Sequence, residues 1–424
     1  MRAVLKPYSD YSSVELESIG EVPVGWDVLP FKRLCKRVDV GIAEAATHAY
    51  SETGVPIIRG TNIRPHRIEG EILYIEPWFA EKNRSKYMWA GDLVTVRTGY
   101  PGVTAVIPQA LDKSQCFTMI ISTIKKAHSP EFFCYFFNSV CGMAHFAVEG
   151  WGSAQTNISV PTVQRIEVPL PPPDEQRAIV AFLDREAAKI DRLMEVRRKQ
   201  VERLQEQRTA VIHHAVTRGL DPNAKMKPSG VEWLGEVPEH WQIYRLKFTA
   251  KIKNGQDYKL VDSETGYPVI GSGGQFAFAS TYMYDGQSVL FGRKGTIDKP
   301  LYMNGRFWTV DTMFYTQIKP ILSAKFLYYC ALGFPFAYYS TQTALPSMTQ
   351  QDLGNHPIAL PPKPEQRAII AHIDRETSKL DTLAAKYRRE LELLAEYRAS
   401  LISHAVTGKI DVRGLVPTSA PERP

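Results

Sequence analysis

The chain has 424 residues, and 44% of them are hydrophobic. This length and composition allow two or three domains with substantial cores and exclude a disordered or fibrous protein. The formal net charge of +6 permits an anionic partner such as a nucleic acid without requiring one. The five cysteines include no CxxC pair, which favours buried free thiols in a reducing cytosol over a zinc site.

No apolar run approaches the roughly 20 residues that span a bilayer. The aromatic run Phe132–Phe137 is too short and is typical of a buried helix. The N-terminus lacks the apolar core of a signal peptide. The sequence therefore predicts a soluble cytoplasmic protein without a membrane partner.

Residues 27–169 alternate short β-branched or aromatic runs with glycine-rich turns, which predicts a mixed α/β domain. Strands are expected at Ile57–Gly60, Leu93–Val96 and Thr104–Ile107, followed by an aromatic helix at Pro130–Phe146. Two turns combine glycine with Arg, Thr and Asn, side chains that bind phosphates and base edges. Each turn taken alone is more typical of a solvated loop. The DNA-contact candidates chosen from these turns are Arg59, Thr61, Asn62, Arg64, Arg97, Thr98 and Tyr100.

The segment Asp174–Thr217 contains neither Gly nor Pro and is predicted to form one long helix. Asp174 is the expected N-cap, and Gly219 is expected to end the helix. At 1.5 Å per residue the helix is roughly 65 Å long and needs a partner helix to cover its apolar stripe. The stripe has coiled-coil spacing and consists of Ile179, Leu183, Ile190, Leu193, Val201, Leu204, Val211 and Ala215.

Residues 242–359 repeat this organisation with different side chains. Strands are expected at Pro268–Gly271, Ser288–Phe291 and Phe314–Ile318, and an aromatic helix at Ser323–Tyr339. The DNA-contact candidates in the corresponding glycine-rich turns are Ser272, Gln275, Arg293, Lys294 and Thr296. A second long helix follows, with its apolar stripe at Ile369, Ile373, Leu380, Leu383, Leu391, Leu394, Leu401 and Ala405.

Three short pieces of sequence occur twice, while the segments between them diverge. The repeated pieces are Gly20–Pro23 with Gly235–Pro238, Leu170–Ile179 with Leu360–Ile369, and His214–Thr217 with His404–Thr407. The last two pairs have the same separation, so the two long helices have equal length. This pattern predicts a duplicated scaffold that carries two different binding domains.

The motifs that usually accompany catalysis are missing from the sequence. There is no GxxxxGK[ST], no Asn/Asp-Pro-Pro-aromatic, no GxSxG and no HExxH. The glycines of Gly271–Gly274 do not continue as GxGxxG, because residue 276 is Phe. An enzymatic function of this chain by itself therefore rests on no motif.

The sequence resembles the specificity subunits of type I restriction–modification systems over essentially its whole length. The resemblance is carried by Lys227–Trp241, by a looser copy at Lys6–Trp26, and by the Leu-Pro-Pro-x-x-Glu-Gln-Arg-Ala-Ile start and His-Ala-Val-Thr end of each long helix. It implies two target-recognition domains, each binding one half of a two-part double-stranded DNA site, with a helical spacer between them.

The resemblance also implies two modification subunits that methylate adenine and two ATP-dependent restriction subunits. S-adenosylmethionine, ATP and magnesium are expected in those partners, with no cofactor and no catalysis in this chain. Ala154–Ile158 and Ala344–Met348 match an element that often precedes the helix start in this family, which adds Gln155 and Asn157 to the candidates.

The predicted fold class is α+β, with two mixed α/β domains separated by two long antiparallel helices that form a coiled-coil spacer. Because the two variable segments differ, the DNA target is predicted to be asymmetric. The alternative is a coiled-coil interaction scaffold, or a degenerate paralogue, without sequence-specific DNA recognition. The predicted ranges are 1–170 and 220–360 for the two domains, 171–219 and 361–412 for the two spacer helices, and 413–424 for a flexible tail.

Overall fold

The computed structural model of the chain describes residues 5–14, 19–44, 47–147, 157–339 and 346–415. Its contacts divide the chain into two compact units. Unit 1 comprises Met1–Val196 with Glu390–Pro424, and unit 2 comprises Arg197–Arg389. Both divisions fall inside long helices, so the five ranges given above stay a prediction. Among the described residues, no helix is long and apolar enough to cross a bilayer.

Unit 1 is built on two four-stranded sheets and three shorter strand pairs. Its strands are β1 (Tyr11–Ser13), β2 (Glu21–Pro23), β3 (Asp27–Pro30), β4 (Cys35–Val40), β5 (Tyr50–Ser51), β6 (Val55–Ile58), β7 (Ile63–Arg64), β8 (Arg67–Ile68), β9 (Leu73–Ile75), β10 (Leu93–Thr95), β11 (Thr104–Val106), β12 (Gln115–Cys116), β13 (Ile120–Ile124) and β14 (Glu167–Leu170). The sheet orders are β11-β10-β13-β4 and β12-β6-β9-β5. Within these two sheets only β12 and β6 run parallel.

The helices of unit 1 are α1 (Pro77–Lys82), α2 (Pro130–Phe137), α3 (Val140–Ala147), α4 (Val160–Arg165) and the first part of α5 (Pro173–Arg218). The prediction of one aromatic helix at Pro130–Phe146 is wrong, because α2 and α3 are separate. The Asn138 amide donates to the Cys134 carbonyl at 2.8 Å and ends α2. The Ser139 hydroxyl then accepts from the Gly142 N–H at 3.1 Å in the first turn of α3.

Unit 2 is organised around one seven-stranded sheet of order β18-β24-β22-β23-β20-β21-β19. The strands of this unit are β15 (Met226–Pro228), β16 (Glu236–Pro238), β17 (Gln242–Arg245), β18 (Ala250–Asn254), β19 (Asp262–Ser263), β20 (Tyr267–Gly271), β21 (Gly274–Ala279), β22 (Tyr284–Gly292), β23 (Leu301–Thr309), β24 (Met313–Ile318) and β25 (Pro357–Leu360). In the large sheet β20 and β23 run parallel, and the other neighbours run antiparallel.

The helices of unit 2 are α6 (Leu246–Thr249), α7 (Ala324–Ala331), α8 (Phe336–Tyr339), α9 (Gln350–Asn355) and most of α10 (Lys363–Val406), with the last part of α5. The prediction of one helix at Ser323–Tyr339 is wrong, because a turn containing Gly333 and Pro335 separates α7 from α8. The six strands predicted from the sequence all coincide with observed strands, to within a few residues.

The two long helices are confirmed as α5 and α10, and each contributes to both units. Asp174 is not an N-cap, because α5 begins at Pro173 and Asp174 lies exposed in its first turn. The apolar stripe is buried near the helix ends, where Ile179 and Ile369 pack into the unit cores. Leu193 is 42% exposed and Leu383 is 37% exposed. The stripe is therefore not covered along its whole length.

The same ion pair joins the two long helices once in each unit. In unit 1, Arg398 Nε lies 2.9 Å from Asp191 Oδ1. In unit 2, Arg208 Nε lies 3.1 Å from Asp381 Oδ1. Each pair connects the N-terminal half of one helix to the C-terminal half of the other, so the helices are antiparallel. The four residues occupy equivalent positions in the two copies of the helix.

The repeated Glu-Gln-Arg piece attaches each long helix to its domain through a buried glutamine. Gln176 and Gln366 are both fully buried. Gln176 Oε1 accepts from the Ser129 N–H at 3.0 Å, and Gln366 Oε1 accepts from the Ser323 N–H at 2.8 Å. Both serines precede the aromatic helices α2 and α7. These equivalent contacts, with the two mixed α/β domains and the paired long helices, confirm the predicted fold class.

Candidate nucleic-acid interface

In unit 2, five loops from distant parts of the chain meet at one end of the seven-stranded sheet. They comprise residues 255–258, 270–275, 293–296, 309–312 and 346–348, which we call loop cluster 2. The turn at 309–312 is its centre, because backbone hydrogen bonds of 2.8 to 3.4 Å join it to the first three loops. The loop at 293–296 is joined to 346–348 by bonds of 2.9 and 3.0 Å. The glycine-rich turns predicted in this domain therefore lie together in the structure.

Unit 1 forms the equivalent arrangement from residues 41–42, 58–62, 97–102, 116–119 and 157–158, which we call loop cluster 1. Backbone hydrogen bonds of 2.8 to 3.2 Å join the turn at 116–119 to the first two loops. The Ile158 N–H donates to the Arg97 carbonyl at 3.1 Å. Strand pairing of Thr95 with Ile120 then places these two groups of loops side by side.

One glycine in each cluster allows the backbone to pass close to the central turn. A Cβ atom on Gly255 would lie 2.0 Å from the Val310 carbonyl oxygen. A Cβ atom on Gly41 would lie 2.3 Å from the Cys116 carbonyl oxygen. Only glycine fits such distances without displacing backbone, so the two residues have the same role at equivalent positions.

The predicted turns at Arg97 and Arg293 pair with the segments that precede α4 and α9. Thr98 forms an isolated bridge with Asn157, and Lys294 forms one with Ser347. The Thr98 hydroxyl also lies 3.3 Å from Asn157 Oδ1. The structure therefore brings together candidates that are almost sixty residues apart in the first domain.

The two arginines of these turns are partly used to hold the turns themselves. Arg97 Nε donates to the Ile158 carbonyl at 2.8 Å. The Arg293 guanidinium lies 6.0 Å from the centroid of Phe314. Lys294 and Tyr100 are exposed, and Tyr100 is 81% accessible. These two side chains are therefore better placed for an external ligand than the arginines beside them.

The candidates at the 58–62 loop and the adjoining strand differ in accessibility. Asn62 is buried, its Oδ1 accepts from the Arg59 N–H at 3.0 Å, and its Nδ2 donates to the carbonyls of Glu69 and Glu71. Asn62 therefore holds the loop and does not present its amide to a base edge. Thr61 and Arg64 are exposed, with Arg64 donating to neighbouring carbonyls at 3.0 Å.

The remaining candidates lie on the hairpin and turn of loop cluster 2, with one exception. Gln275 is exposed, and Ser272 and Thr296 are half-buried. Gln155 lies outside the described residues. As DNA contacts, all of these side chains stay predictions.

Sequence reasoning missed the loops at 41–42 and 255–258 and the central turns at 116–119 and 309–312. These segments contain no Arg or Lys beside a glycine, which was the pattern used to choose candidates. Gln256 is exposed in one of them. Thr118 has a φ of 45°, a left-handed conformation that is unusual for a β-branched residue. The close approach of Gly41 and Gly255 to a distant carbonyl oxygen could not be recognised from the sequence around them.

Cys116 lies in loop cluster 1, and burial raises the pKa of its thiol to about 12. The thiol is therefore protonated at neutral pH and is a poor nucleophile. Within the described ranges, no group of three His, Cys, Asp or Glu side chains is placed to hold a metal ion.

The family model described as "Type I restriction modification DNA specificity domain" matches residues 24–203 and 238–393 of this chain. The two matches each contain one loop cluster and together span most of the sequence. The chain belongs to this family of specificity subunits. The prediction made from the repeated motifs is thereby confirmed.

Three relatives of this specificity subunit have low identity, and their alignments cover between 42% and 93% of this chain. The putative type I restriction enzyme MjaX specificity subunit of Methanocaldococcus jannaschii is 23% identical, covering 93% of this chain and 96% of the relative. The MjaVIII specificity subunit of the same organism is 23% identical over 62% of this chain and 67% of the relative. The EcoDI specificity subunit of Escherichia coli is 24% identical over 42% of this chain and 40% of the relative.

Two solved structures share the fold of this specificity subunit. One chain comes from a study described as "Structural basis underlying complex assembly and conformational transition of the type I R-M system", with a TM-score of 0.73, 17% identity and coverage of 93% of this chain and 99% of that one. The HsdS subunit of Thermoanaerobacter tengcongensis has a TM-score of 0.53 and 19% identity, covering 92% of this chain and 98% of its own.

Proposed function

We propose that this specificity subunit recognises a two-part, asymmetric double-stranded DNA target, with one loop cluster contacting each half. The observation that carries the proposal is the repeated backbone of the two clusters. Gly41 and Gly255 make the same close approach, while the exposed side chains around them differ. A shared backbone frame with different side chains fits two recognition domains for two different half-sites.

We further propose that catalysis belongs to partner subunits. Two modification subunits would bind S-adenosylmethionine and methylate adenines, and restriction subunits would use ATP and magnesium. In unit 1 the long helices carry large apolar side chains that are about half exposed: Val196 at 50%, Leu393 at 47% and Tyr397 at 52%. Exposed apolar side chains grouped on a helical surface are typical of a protein interface. These residues therefore support docking of a partner on the helices.

A genome-wide map of methylated adenines tests the proposed function. The map is compared between cells with and without this chain, with the modification subunit present in both. Loss of one asymmetric two-part motif upon removal of the chain is the expected result. An unchanged map in cells that express the chain would contradict DNA recognition and favour a coiled-coil interaction scaffold.

A further inference from the structure

Exposed apolar side chains lie next to loop cluster 2. Recognition of DNA through hydrogen bonds gives these side chains no role. Phe276 is 56% exposed, and Leu260 is fully exposed. Tyr258 meets Phe276 edge to face, with the ring centroids 5.3 Å apart. We call Tyr258, Leu260 and Phe276 the apolar ridge. Soluble proteins seldom leave such side chains grouped on the surface without a ligand or partner.

The apolar ridge is attached to the recognition loops. Phe276 follows Gln275 in β21, and its ring lies over Gly271, where an added Cβ would be 3.2 Å from it. Tyr258 ends the 255–258 loop, and the Val261 N–H donates to the Tyr258 carbonyl at 2.9 Å. Leu260 projects from this short turn. The ridge is therefore held by the same backbone that builds loop cluster 2.

The charges around the apolar ridge fit a polyanion. Lys253, Lys259 and Lys294 are exposed on loop cluster 2 or on the segments that lead into it. Asp257 and Asp311 are the acidic residues of these loops, and the Asp257 carboxylate accepts from the Lys259 N–H at 3.0 Å. When the two residues on either side of each loop are included, four basic side chains, with Arg293 among them, stand beside three acidic ones, the third being the exposed Asp298. An apolar centre with a basic border matches DNA better than it matches a neutral protein surface.

Leu and Phe side chains cannot hydrogen-bond to phosphates or base edges. In kinked DNA such side chains enter between neighbouring base pairs and unstack them. We propose that the apolar ridge wedges into one base step of the half-site bound by unit 2 and kinks the DNA there. This inference rests on the proposed function, because it assumes that loop cluster 2 binds DNA.

The test uses the full chain in complex with its modification subunit, on target DNA carrying 2-aminopurine at successive positions. The methylated adenine is left unlabelled, because extrusion of that base by a methyltransferase raises the same fluorescence. With the unaltered chain, fluorescence should rise at one step of the half-site. The double variant Leu260→Ser with Phe276→Ser should abolish the rise and weaken binding about tenfold. The slope of log affinity against log salt should not change, since no phosphate contact is lost.

Two variants serve as controls. Phe248→Ser removes an aromatic side chain that is 58% exposed on α6, outside the apolar ridge, and should leave fluorescence and affinity unchanged. Lys294→Ala should weaken binding and make the salt dependence shallower. Thermal unfolding of each variant checks that the fold is intact.

The outcomes separate this inference from the proposed function. Unchanged fluorescence and affinity in the double variant would overturn the wedge. The wedge would also be overturned if the double variant no longer bound the modification subunit, because the ridge would then be a contact with that protein. It would be overturned as well if the fluorescence of the unaltered complex did not rise while replacement of thymine by uracil in the DNA weakened binding. That result would mean that the ridge contacts thymine methyl groups without unstacking the bases. If the unaltered complex does not prefer its target over unrelated DNA, the proposed function itself fails.

Discussion

At the scale of single residues, His356 has an environment that stabilises its neutral form. It is 1% exposed and stacks on Trp233 with the ring planes 16° apart. The Tyr339 hydroxyl lies 2.7 Å from its Nδ1. Burial lowers the pKa of His356 from the usual 6.5 to about 3. The imidazole is therefore uncharged at neutral pH and is part of the unit 2 core.

The His356 environment predicts a loss of stability in mild acid. Between pH 6.5 and 3 the unfolded chain binds a proton at His356 that the folded chain does not, so the free energy of unfolding falls as pH falls. The expected loss from this residue at pH 5 is about 2 kcal/mol. The variant His356→Gln should be less stable at pH 7 but should lose about 2 kcal/mol less between pH 7 and 5, measured by urea unfolding.

Two other histidines define the comparison. Burial also lowers the pKa of His66, to about 4. The stability of the His356→Gln variant should therefore still depend on pH to some extent. The exposed His404 provides the control variant His404→Gln. Because this variant retains His356, its free energy of unfolding should still fall by the His356 contribution between pH 7 and 5. If the free energy of unfolding fell equally with pH in His356→Gln and in the unaltered chain, His356 would not be the source of the acid destabilisation.

At the scale of elements, each loop cluster depends on a backbone contact between segments that are distant in sequence. Strand β18 pairs with β24, more than sixty residues later. This pairing places Gly255 beside the turn at 309–312, where its N–H donates to the Met313 carbonyl at 2.9 Å. Trp308 reinforces the contact by donating its Nε1–H to the Gln256 carbonyl at 3.0 Å. The order of loop cluster 2 therefore depends on this junction.

Substitution of Gly255 tests the importance of the junction. In Gly255→Ala the new methyl group would displace the Val310 carbonyl, and we expect destabilisation of about 1–3 kcal/mol together with weaker DNA binding. Gly273→Ala is the matched control, because its Cβ would meet nothing within 4 Å. Thermal unfolding and target binding of both variants measure the difference. Equal behaviour of the two variants would show that the close approach is not required.

At the scale of the whole molecule, one duplicated framework supports two loop clusters with different side chains. Gln176 and Gln366 anchor the helix starts in the same way, and the Asp191–Arg398 and Arg208–Asp381 pairs repeat at equivalent positions. Side chains on the loops are free to differ because none of these anchors depends on them. The two half-sites should therefore be recognised independently.

Single substitutions in different units test this independence. Tyr100→Ala in unit 1 should relax methylation specificity in one half of the target, and Lys294→Ala in unit 2 should affect binding through the other half. We expect a change of about 1–3 kcal/mol at a base-contacting position and a smaller, sequence-independent loss at a phosphate-contacting one. Methylation of a library with randomised half-sites measures both.

The control for the half-site comparison is Arg367→Ala, at an exposed residue near the start of α10. It should leave both halves unchanged. If Tyr100→Ala alters the base preference in both halves to the same extent, the two units do not act separately.

The sequence by itself determined the features that depend on local periodicity and repetition. The absence of Gly and Pro over Asp174–Thr217 and its apolar spacing were sufficient to identify α5. The duplicated pieces were sufficient to identify the family, and the alternation of apolar runs located six strands. These properties involve residues close in the chain or identical between its halves, so no tertiary contact is needed to recognise them.

The tertiary structure alone decided which side chains are accessible and which loops meet. Asn62 has an amide side chain of the kind that binds base edges, but it is buried. Leu193 belongs to the apolar stripe, but it is exposed. Asn138 divides the aromatic helix through a bond to Thr104, thirty-four residues earlier. Burial and loop proximity arise from pairings between distant segments, whose free energy depends on all their neighbours together. A single sequence does not display that dependence.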